Sequence, residues 1–146
     1  MTRIFNIIIS GFTVMAIEYF LLLFFFQIDN VIRYKIPLFS LSNSFKHATE
    51  VSLMRLLLYF FLWVVGIYLS WNKFRINNVV LKFAIINCLL YITISILMTL
   101  FFPFAIEFFT RSFFYYLVLA TMLSPFIASL MPFFRKLILS VNKNRK

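Results

Sequence analysis

The chain has 146 residues, of which 64% are hydrophobic and only 12% charged, with a net charge of +10. A soluble domain carries about 45–50% apolar and about 25% charged residues. This composition therefore excludes a soluble enzyme, a disordered chain and a coiled coil, and predicts an all-α integral membrane protein.

Segment one covers about residues 4–28 and is interrupted only by Glu18. Arg3 ahead of it gives it the look of a signal peptide. Its apolar stretch is too long for one, and no small-residue cleavage site follows, so it is read as a retained first span. Residues 29–50 form the longest polar stretch. Within it Leu38, Leu41, Phe45 and Ala48 recur at spacings of three and four. That pattern fits a short interfacial helix in the first outer loop, or a loop with scattered hydrophobic residues.

Segment two covers about 51–71, with Arg55 near its start and an uncharged core of 17 residues from Leu56 to Asn72. After the short connector 72–78, segment three covers about 79–102 and carries Lys82 in its first turn. Segment four covers about 106–139 and contains Pro125 and Pro132. A basic tail, 140–146, ends the chain. Short second and third connectors force antiparallel neighbours. The expected architecture is a single membrane domain, a four-helix up-down transmembrane bundle.

The basic residues set the orientation. With the N-terminus inside, nine of the 14 Lys and Arg residues fall on the cytoplasmic side and five outside. By the positive-inside rule both termini are expected in the cytoplasm. The preference for Lys, Asn, Ile and Phe fits an AT-rich bacterial genome, and hence the bacterial inner membrane. Lys73, Arg75, Lys82, Arg135 and Lys136 are expected to contact anionic headgroups, at about 1 kcal/mol per basic residue near the surface.

Glu18 is the most informative residue. A carboxylate at that depth costs several kcal/mol unless paired or wetted, on the order of 2.5–3.5 by insertion scales. Arg55 enters the membrane from the opposite direction and is its expected partner. The pair reads either as a helix–helix staple or as part of an ion or substrate site. Glu107 and Arg111, four apart, read as a helix-start pair. Ala120, Ser124 and Ala128 form a small-residue stripe that lets helices approach closely, toward this chain or toward a partner. Pro125 beside it removes one backbone hydrogen bond. Asn87, Thr93, Ser95 and Thr99 are the polar residues of segment three, and Asn87 is expected to bond across helices. Trp63, Trp71, Tyr91, Tyr115 and Tyr116 read as interface anchors.

With one Cys, one His and two Gly, the chain lacks the residues for a zinc, haem or iron–sulfur site and for a phosphate-binding glycine loop. No cofactor, no metal and no nucleic-acid partner is expected, and catalysis is not expected. The leading reading is a non-catalytic accessory or scaffold subunit, partnered by another membrane protein or by itself as an oligomer. The alternatives are a small translocator of a lipid-linked carrier, small molecule or ion, and an immunity protein against a pore-forming bacteriocin.

Overall fold

The first helix, α1, runs without a proline from Thr2 to Tyr34, about 50 Å at the rise of an α-helix. It stops where Lys35 takes a left-handed backbone, φ 53°. Apart from Ser10, Thr13 and Glu18, its polar residues gather at the two ends. Arg3 and Asn6 mark the basic end; Gln27, Asp29, Asn30 and Arg33 mark the other. From Asn6 to Gln27 the helix covers about 31 Å, close to the ~30 Å hydrocarbon core of a bilayer. Between them Ser10 and Thr13 donate their hydroxyls back to the carbonyls of Asn6 and Ile9. Neither therefore carries an unpaired donor into the apolar stretch.

The computed structural model describes residues 2–35, 42–101 and 113–143. After α1 come α2 (Ser42–Met54), a π-helical turn (Arg55–Tyr59), α3 (Phe60–Ser70), α4 (Val79–Phe101), α5 (Phe113–Ala128) and α6 (Pro132–Lys143). There is no strand among the described residues.

Helix α2, the π turn and α3 form one continuous run that descends antiparallel to α1. Ser44 bonds Gln27, Tyr19 and Thr49 share a hydrogen bond, and Arg3 at the far end donates to Asn72. The π turn has a geometric reason. Helix α2 buries Ser44, Ala48 and Val51, and α3 buries Trp63 and Ile67. A regular helix would carry Trp63 about 120° round from Val51. One extra residue in a π turn takes back about 100° of that, and both buried faces then meet the same neighbours.

The expected interfacial helix is therefore corrected. Residues 42–54 are helical, but they pack along α1 as the upper part of the second helical run instead of forming a separate helix in the loop. Phe45 is exposed and Ala48 buried, so the contact with α1 covers only one edge of this stripe. Leu38 and Leu41 lie outside the described residues.

Asn78 starts α4 by accepting the amides of Val80 and Leu81 at 3.1 and 3.2 Å, which satisfies two donors a helix start leaves free. Helix α4 lies antiparallel to α3, with Tyr59 near Tyr91 and Trp71 near Phe83. Helix α5 runs back along α1, Tyr116 reaching Asp29 and Ser124 reaching Glu18.

Segment four is not one straight helix. Leu130 and Met131 bond back three residues, to Ile127 and Ala128, which tightens the chain, and Pro132 opens a new helix where its missing N–H is harmless. Helix α6 leaves α5 at 99° and folds across the basic end. Its buried side, Phe134, Ile138 and Val141, follows helical spacing and closes that end of the core. Phe83 holds Trp71 and Phe134 in edge-on contact at 6.1 and 5.8 Å. Asn6 of α1 donates to Ser140 of α6 at 2.7 Å.

Among the described residues two helices are long and apolar enough to cross a membrane, over Arg3–Arg33 and Val79–Leu97. The bent pair α5–α6 would make a third. The exterior agrees with that solvent: Phe20, Leu57, Phe61 and Leu100 are each more than 60% exposed, and soluble proteins rarely leave such side chains contiguous on their surface.

Candidate functional site: a polar centre between the helices

Midway along α1, four helices bring polar groups inward. Glu18 is 2% exposed, and Ser124 and Thr121 of α5 are fully buried. Ser124 Oγ donates to Glu18 Oε1 at 3.1 Å. Pro125 explains the second half of the centre. It has no N–H, so the carbonyl of Thr121, four residues earlier, loses its helical donor. Asn87 of α4 supplies one, its Nδ2 donating to that carbonyl at 3.1 Å, and Ser124 Oγ also approaches it at 3.4 Å. Asn87 Oδ1 in turn accepts from Trp63 Nε1 of α3 at 2.6 Å. One amide thus bridges three helices, and both ends of it are used. Thr121 Oγ1 has no hydrogen-bond partner among the described residues.

Gly11 lets α1 approach closely beside this centre. A Cβ there would lie 2.5 Å from Trp63 Cζ3 and 2.9 Å from Phe60 Cε2. Toward the Asp29 end a second polar cluster ties α1 to α2, with Asn30 donating to Ser44 and Ser44 to Gln27, both at 2.8 Å. There, too, Tyr116 of α5 donates to Asp29 at 2.7 Å, and Asp29 pairs with Arg33.

The expected site residues fall as follows. Glu18 is buried and bonded to Ser124. Arg55 lies in the π turn, and its side chain is outside the described residues; so are Glu107 and Arg111. Ala120, Ser124 and Ala128 are all fully buried within the chain. The stripe is thus an internal packing face, and the partner-face reading of it is set aside.

Lys73, Arg75, Arg135 and Lys136 are exposed. Lys82 is not. It is 3% exposed, with Nζ 4.8 Å over the Trp71 ring, because the first turn of α4 faces the aromatic cluster. It therefore leaves the exposed basic surface. Trp63, Trp71 and Tyr91 are buried core residues and not interface anchors, while Tyr115 is 75% exposed.

Thr121 is not among the residues the sequence singles out, although Pro125 four residues later signals a freed carbonyl. Gln27 and Ser44 carried no such signal. Among the described residues no group of three His, Cys, Asp or Glu is arranged to hold a metal. No protein-family model, characterised protein or solved structure matches this chain.

Proposed function

We propose that this chain is a non-catalytic multi-pass protein of the bacterial cytoplasmic membrane, a small accessory or scaffold subunit of a larger membrane complex. The observation that carries this reading is how the buried polar groups are used. Trp63, Asn87, Thr121, Ser124 and Glu18 bond one another across helices, an arrangement that holds helices in register. Four crossings with both termini in the cytoplasm form part of the proposal. The hydrogen bond between Asn6 and Ser140 supports it by tying the two ends of the chain together. With the stripe of α5 buried, a partner has the bulky outer faces of α1, α3 and α4 to meet. Isolation of the tagged chain in mild detergent from its native host tests this. A stoichiometric larger membrane protein is expected, and a chain recovered alone or only with itself counts against the subunit reading.

A second reading, a small translocator, draws on the π turn at residues 55–59 and the proline-broken ladder at Pro125. Such irregularities recur at functional sites. Flux into vesicles containing the purified chain, abolished by Glu18→Gln, would favour it over the subunit.

A further inference from the structure

We propose that the cleft between the first turn of α4 and helix α6 binds an anionic phospholipid, with the phosphate on Arg135 and the upper acyl chain along the apolar wall. This rests on the membrane embedding of the preceding reading, and not on the subunit role. The cleft has a volume of about 200 Å³ and is lined by Asn78, Val79, Val80, Arg135, Ile138 and Leu139.

Its depth suits a headgroup. Helix α6 crosses the end of the bundle after the 99° break and is bonded to Asn6, where the apolar stretch of α1 begins. Its chemistry is divided in the same way. Four aliphatic side chains form the wall, and one exposed guanidinium stands at the rim. A guanidinium presents a planar fork that matches phosphate oxygens. The α4 amides of Val80 and Leu81 are already taken by Asn78, so the phosphate contact falls to Arg135.

The surrounding field selects for net negative charge. Lys73, Arg75 and Lys136 are exposed on the same end. The described acids, Glu18, Asp29 and Glu50, all lie elsewhere along the helices. A zwitterionic lipid offers the same phosphate but carries its own cation into this basic surface. One basic contact near the surface corresponds to a preference of about fivefold.

The test is native mass spectrometry of the full chain, released from detergent containing equimolar phosphatidylglycerol and phosphatidylcholine. Retention of phosphatidylglycerol is expected to exceed that of phosphatidylcholine by about fivefold or more. Arg135→Gln should bring the two near parity. So should Val79→Trp, which fills the cleft without changing charge, or Leu139→Phe if the tryptophan variant does not fold. Arg33→Gln, at the opposite end, should keep the preference. Equal retention by the unaltered chain overturns the proposal, as does a preference that survives both Arg135→Gln and a cleft-filling variant. Displacement of phosphatidylglycerol by the same concentration of inorganic phosphate also overturns it, since the site would then be for a free anion. Extraction of the chain from membranes by alkaline carbonate would instead refute the membrane embedding itself.

Discussion

Replacing Asn87 with leucine keeps the branched outline of the side chain, at a somewhat larger volume, and removes both ends of the bridge. Trp63 Nε1, which donates at 2.6 Å, loses its partner, and the Thr121 carbonyl, which accepts from Asn87 at 3.1 Å, keeps only the 3.4 Å approach of Ser124 Oγ. A buried polar group left unsatisfied costs about 1–3 kcal/mol, while interhelical hydrogen bonds in membranes average about 0.6 kcal/mol. One orphaned donor and one acceptor left with a long contact bring the expected loss to about 1–4 kcal/mol. Pro125→Ala supplies the missing test of mechanism. It restores an N–H to the Thr121 carbonyl, so in that background the cost of Asn87→Leu should fall by about 1 kcal/mol. Reversible unfolding in mixed micelles, followed by tryptophan emission, measures all four members of the cycle. A variant Asn87→Leu as stable as the unaltered chain would refute the bridging role. Additive effects of the two substitutions would refute the link between Pro125 and Asn87.

Thr121→Val removes a buried hydroxyl that has no partner among the described residues and keeps the shape, so stability should be unchanged or raised by up to about 1 kcal/mol, measured in the same unfolding assay. Ser124→Leu adds volume at a fully buried position and should destabilise by about 1–3 kcal/mol, whereas Leu119→Ala on the exposed face of the same helix should cost less. Gly11→Ala should lower the unfolding midpoint more than Gly66→Ala. The first meets the Trp63 ring, which is fixed by its bond to Asn87, and the second meets only the flexible end of Leu90.

Much of this fold was legible from hydropathy and charge. The apolar runs of α1 and α4 sit where the sequence reading put them, and the short connector at residues 72–78 does join antiparallel neighbours. The misreadings have physical causes. Residues 42–50 are polar enough to look like an interfacial helix or a surface loop, yet Ser44 and Thr49 find partners on α1, which no hydropathy pattern reports. Segment four looked continuous because its apolar run is continuous, while the break depends on two residues of tightened hydrogen bonding before Pro132. Lys82 looked like a headgroup ligand by position alone. Its burial under Trp71 reflects the rotation of α4, which sequence does not set. At the site, Glu18 stood out through its charge and Ser124 through its spacing, but the pairing of the two needed the helix arrangement. Asn87 was expected to bond across helices; that its target is the carbonyl freed by Pro125 follows only when α4 and α5 are adjacent.

The proposal that this chain serves a larger assembly is tested most directly by photo-crosslinking in native membranes. A photoreactive residue would be placed in turn at the outward positions Phe20, Leu57, Phe61, Leu100 and Leu119, exposed at 67%, 77%, 76%, 73% and 48%. A discrete adduct with one foreign membrane protein is expected from a contiguous subset of these sites. Adducts with lipid alone from all five, or with a second copy of the chain alone, would contradict it.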